Sequence, residues 1–507
     1  MPQTSPEPVP TETVAADPPP VVAADVGPGI LRQVLPYVPS WLISLVVHLL
    51  LVLLLATWTT LIAAPEIATS LDVSTGGEDP LETTADLSAA SFLSELPTPE
   101  TSEPLASAAI EQPELAPFDP GPLLPITAGE LDAGLDPTSD EPLRLGDADG
   151  LDQRISETAR KLLVEAGGGN ERSEAAVRAA LNWLAKHQMP EGHWSFSHDR
   201  HPECNGQCNH AGRVNSNVAA TALALLPFLG TGQTHQQGTY RKQVQKGLEF
   251  LVNSIRHEQD YGSLWDPQGN MYGHGLASIV LCEAYAMTGD QNLRSPAQSV
   301  LDFIVDAQDP KGGGWRYQPR TPGDTSVVGW QLMALKSGRM GELRVPTNTF
   351  RRTTKFLNFV EANDGAAYGY NHRGEVRPAT TAIGLLCRMY LGWSRTNRTL
   401  ERGVVALGKE GPSVDKAGRS SNLYYNYYGT QVMHHWGGEP WHRWNVKMRD
   451  FLIETQAKEG HSSGSWYFDG DHGSGPGGRL YCTAMATMIL EVYYRHLPIY
   501  GSRSLEQ

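Results

Sequence analysis

The sequence predicts an all-α domain, an (α/α)6 toroid in which six helical hairpins form a double ring, preceded by one transmembrane helix and a disordered linker. Three observations predict it. A hairpin pattern recurs about every 50 residues in the C-terminal two thirds. Within each copy a one-sided helix alternates with a helix apolar all round. One long uncharged apolar run stands near the N terminus.

That run occupies residues 41–64 and reads WLISLVVHLLLVLLLATWTTLIAA, with His48 as its single ionisable side chain. A helix of about 24 residues spans about 36 Å, enough for a bilayer core of about 30 Å. Trp41 and Trp58 lie toward its ends, where indole rings favour the interface. The apolar core is too long for a cleaved signal peptide, and no basic cluster precedes it, so it reads as an uncleaved signal-anchor. Arg32 precedes the span and no basic residue follows before Arg144. The positive-inside rule then puts the large C-terminal domain outside the cytoplasm, facing the periplasm of a bacterium as a single-pass inner-membrane protein.

Residues 1–40 are rich in Pro, Ala and Val and read as disordered. Residues 65–169 read as an acidic Pro/Ser/Thr-rich linker; between 66 and 150 there are 19 acids against the one basic residue Arg144. Self-repulsion extends such a segment and makes it a solvated spacer. The net charge of −16 therefore belongs to the linker, and the remainder is mildly basic without a Lys/Arg cluster. That excludes a nucleic-acid footprint.

The toroid domain is expected over 170–500. Its first helices open at 179–188, 247–255, 300–308, 353–362 and 448–456, with a weaker copy at 400–411. In the second copy Val244, Leu248, Leu251, Val252 and Ile255 form one stripe at helical spacing. The second helices, among them AATALALLPFL (219–229) and CTAMATMILEVYY (482–494), must be buried on every side. An open solenoid would need polar caps at its ends, and none is visible, so the ring closes on itself.

Gln188, Gly192 and Trp194 read Q-x3-G-x-W, and Gln308, Gly312, Trp315 and Gln456, Gly464, Trp466 repeat it with insertions. These resemble the QW motifs of triterpene cyclases. The chain is similar, over about 175–497, to the prenyltransferase/squalene-oxidase repeat family. The resemblance implies the toroid, and it implies glutamines that cap helix ends under tryptophans packed on the next turn.

The catalytic motifs of that family are not kept. Where the resemblance places the cyclase acid, this chain has Thr321-Pro322-Gly323-Asp324-Thr325-Ser326, with Gly323 in the proton donor's place. Protonating an alkene needs a positioned acid. Asp324 also suits an N-cap for the helix that follows, and the cap is the favoured reading. The prenyltransferase zinc ligands have no counterpart in Asn422–Tyr428 or around Arg479–Thr483, so no cofactor is expected. The candidate catalytic residues are Asp324, His274 and His434.

Aromatic and polar residues precede or open the apolar helices, and closure would bring them to one mouth of the ring. Trp330, Gln331, Tyr425, Tyr428, His435, Arg479 and Tyr481 are the candidate ligand-binding residues there. The alternative is that they stitch repeat to repeat. In HPECNGQCNH (201–210), Cys204 and Cys208 read as a loop disulfide outside the cytoplasm. Zinc held with His201 and His210 is the second possibility.

Two functions follow. The favoured one is a non-catalytic ligand-binding or scaffold module, whose partners are the bilayer and an unknown apolar ligand or peptide. The alternative is a divergent terpene cyclase- or prenyltransferase-like enzyme on an isoprenoid or other apolar substrate. A deep cavity reached by a carboxylate or imidazole favours the enzyme, and a filled axis favours the module.

Overall fold

Apolar helices without a polar face can be hidden only by helices on every side, and the chain achieves this by closing on itself. The computed structural model describes residues 151–414 and 422–500. The outer helices are α3 (Glu171–Lys186), α5 (Arg241–Asn253), α7 (Gln291–Ala307), α9 (Thr347–Val360), α11 (Arg398–Glu410) and α13 (Gly438–Thr455). The inner helices are α4 (Asn217–Gly230), α6 (Asn270–Thr288), α8 (Thr325–Met340), α10 (Pro378–Tyr390), α12 (Leu423–Trp436) and α14 (Ser474–Leu490). Each inner helix packs on the next, and α14 packs on α4. The last outer helix, α13, meets the first, α3. This is the (α/α)6 double ring.

Burial separates the two layers as the sequence pattern requires. Every residue of α12 is buried, and so is every residue of α4 from Ala219 to Gly230. The outer helix α5 buries only Val244, Gly247, Leu248 and Leu251. Close approach explains Gly384 in α10, where a Cβ would strike the Tyr368 ring.

Five of the turns that follow outer helices are of two kinds. Those after α3, α7 and α13 carry the Gln…Trp pattern. Those after α5 and α9 carry two-residue antiparallel hairpins, β1 (Arg256–His257) with β2 (Gly262–Ser263) and β3 (Glu361–Ala362) with β4 (Ala367–Tyr368).

The expected linker ends earlier than residue 169. Residues Leu151–Ile155 form α1 and Glu157–Gly167 form α2, capped by the Ser156 side chain and ended at Gly168 with φ of 86°. Two interactions order them. Val164 joins a small apolar cluster with Val492, Tyr493 and Tyr494, all three in α15 (Val492–Arg495). Arg154 reaches Glu283 of α6 at 2.8 Å, and Arg495 reaches the same carboxylate at 3.1 Å. Among the described residues no helix is long and apolar enough to cross a membrane. The run at 41–64, the segment 1–40 and the linker up to 150 lie outside the described residues.

Candidate functional site

The three Gln…Trp turns share one bonding scheme. Gln188, Gln308 and Gln456 each donate from the side-chain amide to a glycine carbonyl of their own turn, Gly192, Gly313 and Gly464, at 2.7–2.8 Å. The same amide donates to a carbonyl of the next outer helix: Gln243, Thr349 and Ala176, at 2.8–3.0 Å. Each indole N–H, of Trp194, Trp315 and Trp466, donates into the last turn of the preceding helix, to Leu184, Ile304 and Leu452. The equivalent glycine of the second copy is Gly313 and not Gly312. Gly192, Gly313 and Gly464 all have positive φ, and a Cβ there would meet the backbone of the next outer helix. These turns are structural stitches.

The ring axis is filled. Trp330 of α8 stacks on Tyr427 of α12 with centroids 5.4 Å apart, and it meets Tyr428 edge-on at 5.6 Å. Tyr424 donates to the Ser326 carbonyl at 3.3 Å. Helices α8 and α12 are not ring neighbours, so these contacts cross the interior. Trp330, Tyr424, Tyr427, Tyr428 and Tyr481 are at most 1 % exposed. Side chains lining a hollow that admits water would show more surface than this.

The candidate mouth residues do not converge on one opening. Gln331 donates to Met271 O at 2.8 Å and joins α8 to α6. Tyr425 turns away from the axis, with its hydroxyl on Gly411 O and its ring edge on Trp444 of α13. Arg479 donates to Asn209 O and Ser465 Oγ, between the first and last hairpins. His435 is buried between Tyr390 and Ile499. Tyr481 is buried within α14, its ring over Gly473. Stitching accounts for them.

The candidate catalytic groups are also built in. His274 accepts from Leu264 N–H at 3.1 Å and donates to Val300 O at 3.0 Å, so it pins a turn to α7. Burial pushes its imidazole down to about 4. His434 packs its ring edge on Trp441 and is likewise pushed to about 4 by burial. Asp324 is the N-cap of α8, with Oδ1 accepting from Val327 N–H at 2.8 Å. Burial raises its carboxyl to about 7, against the pull of that bond and of Arg316, whose Nε lies 3.9 Å from Oδ2. A Cβ on Gly323 would meet Gly314 and Trp315 backbone atoms, so an acid side chain does not fit in the cyclase donor's place.

Cys204 and Cys208 are free thiols and not a disulfide. Their sulfurs share a cluster with His187 and His461, whose ligand atoms all lie within 4.8 Å of one another. Cys208 Sγ lies 3.5 Å from His187 Nε2 and 3.2 Å from His461 Nδ1. His187 Nδ1 donates to Trp183 O at 2.7 Å, which leaves Nε2 as a lone pair facing the sulfur. His201 and His210, the neighbours in sequence, are not part of this cluster. His201 lies beside it and accepts from Glu203 N–H; His210 stacks on Tyr467 at 3.7 Å.

An open groove of ≈ 570 Å³ lies outside the axis, between the β3–β4 turn, the start of α10 and α11. Ala366, Ala367, Ala406 and Leu407 line it with Arg377, Arg402, Asp364 and Glu410.

The chain matches no protein-family model and no curated protein sequence. Among solved structures it is similar to a cellobiose 2-epimerase from Spirochaeta thermophila, at 12% identity and TM-score 0.46, over 67% of this chain and 99% of that one. It is similar to an α-1,6-mannanase from Salegentibacter sp. at 11% identity and TM-score 0.44, over 64% of this chain and 99% of that one. A type II terpene cyclase from Scytonema matches at 12% identity and TM-score 0.41, over 64% and 98%. Likeness at this level identifies neither a substrate nor a reaction. The toroid itself stands on the closed contacts of α4 through α14.

Proposed function

We propose that the chain is a divergent, membrane-anchored member of the prenyltransferase/squalene-oxidase repeat family that serves as a non-catalytic binding module outside the cytoplasm. The observation that carries this reading is the packed axis, where Trp330, Tyr427 and Tyr428 occupy the volume a polyene would need. A partner then meets the ring on its outer surface. The groove between α10 and α11 is lined by alanines and by charges of both signs. Such a lining suits an extended peptide better than an isoprenoid chain. The apolar run at 41–64 and the acidic spacer supply the anchor and the reach.

The enzyme reading rests on the buried Asp324, whose carboxyl burial raises to about 7, so that it can still carry a proton near neutrality. Incubating the purified full chain with squalene and with geranylgeranyl diphosphate separates the two. The module predicts unchanged substrates and an unchanged melting temperature. Turnover lost in Asp324→Asn would establish the enzyme. Protease added to spheroplasts tests the orientation: the ring is reached without lysis if it faces the periplasm.

A further inference from the structure

We infer that His187, Cys204, Cys208 and His461 bind one zinc-class divalent cation, which ties the first hairpin of the ring to the last. The inference goes beyond the binding-module reading and does not depend on it. Two thiols and two imidazoles form a borderline-soft N2S2 donor set, which selects zinc over calcium or magnesium. Zinc at about 2.3 Å from sulfur and about 2.0–2.1 Å from nitrogen sets S–N edges of about 3.6 Å in a tetrahedron. The two S–N separations at Cys208, 3.2 and 3.5 Å, are of that size.

The surroundings prepare the ligands. The Trp183 carbonyl fixes His187 in the tautomer that presents Nε2, the outer contact expected of a metal-bound imidazole. Cys204 Sγ accepts the Cys208 N–H at 3.4 Å, so the two thiols are ordered as a unit. All four donors are used by protein, which leaves no open position and makes the site structural.

The position gives the ion its role. His187 is the C-cap of the first outer helix, and the cysteines lie in the long loop that follows. His461 lies in the turn after α13, 253 residues from Cys208. The strands of chain on either side of the cluster already meet there: Arg213 and Val214 donate to Pro476 O, and Arg479 N–H donates to His210 O. A ring closed only by non-covalent contacts has one seam between its first and last units. The cation crosslinks that seam and shields both thiols from oxidation.

The test uses the full chain in detergent, purified without chelator or reductant. Elemental analysis is expected to find about one zinc per chain, in line with a closed four-ligand site. Cys204 and Cys208 should resist alkylation until a chelator is added, and chelation should raise amide exchange in 201–214 and 457–479. His461→Ala should lose the metal and keep its helical circular dichroism. His461→Cys, a conservative ligand change, should keep the metal, as should His201→Ala and His210→Ala. A metal-free chain with reactive thiols, or a Cys204–Cys208 disulfide in the native protein, overturns the site. Full metal retention in His461→Ala, or metal loss in His201→Ala or His210→Ala, overturns this ligand set. If His461→Ala does not fold, His461→Gln takes its place, and full metal retention in that folded chain overturns the ligand set equally.

Discussion

The side-chain amide of Gln456 donates to the Ala176 carbonyl at 2.8 Å, and this bond joins the last outer helix to the first. Gln188 and Gln308 make the same bond between consecutive helices. One stitch used inside the ring is therefore reused at its seam. Gln456→Ala leaves the Gly464 and Ala176 carbonyls without this donor and should cost about 1–3 kcal/mol. Equilibrium urea unfolding measures it, and a loss below a few tenths of a kcal/mol would show that the seam does not use this bond.

Trp330 is the centre of the axial aromatic packing. Trp330→Ala should destabilise by about 3–5 kcal/mol and leave a cavity. Indole added to the variant should raise its melting temperature and leave that of the unaltered chain unchanged. Equal response in both would mean that the axis is already open.

Glu283 bonds Arg154 and Arg495 in a site closed to solvent. Burial disfavours its carboxylate, and the two guanidiniums more than compensate, so its pKa lies below the ordinary value. Glu283→Ala leaves Arg154 without its carboxylate and Arg495 with Glu491 alone, 3.9 Å away, and should cost about 3–5 kcal/mol. Because Arg154 precedes α2, the same variant should expose residues 151–167 to limited proteolysis. Intact 151–167 in the variant would contradict that coupling.

Asp324 is raised to about 7 in the folded chain from an ordinary value of 3.8. Between those values the folded state holds a proton that the unfolded state has lost. Stability from this group is thus fully present below about pH 4 and falls as pH rises toward about 7. Asp324→Asn keeps the cap and removes the titration. The difference in melting temperature between the two chains should move in favour of the unaltered chain as pH is lowered through that window. A pH-independent difference would refute the assignment. Asp324→Ala loses the cap as well, at about 1 kcal/mol.

The six hairpins were legible in the sequence because the signal is local. A helix that must be buried all round announces it within four turns. Closure followed from the missing end caps, and the contact of α14 with α4 realises it. Side-chain direction was harder to read. Tyr424 and Tyr428, four residues apart, share the inner face. Tyr425, rotated by about 100°, faces Trp444 instead.

The metal-ligand cluster was half legible. The spacing of Cys204 and Cys208 marked the loop, but the disulfide and the local ligands His201 and His210 came from reading only nearby residues. His461 lies in the long insertion between Gln456 and Gly464. Closure of the ring, combined with that insertion, was the signal that could have found it. Helices α1 and α2 were missed because the acidic run before them masks Ser156 as a cap, and Arg154 finds its partner only across the ring.

The packing of Trp330 on Tyr427 and Tyr428 gives the ring a solid axis. Xenon occupies apolar cavities that water leaves empty. Pressurising crystals of the ring domain with xenon tests the claim directly. No bound xenon between Trp330, Tyr427 and Tyr428 is the predicted result. A row of xenon sites along the axis would contradict it.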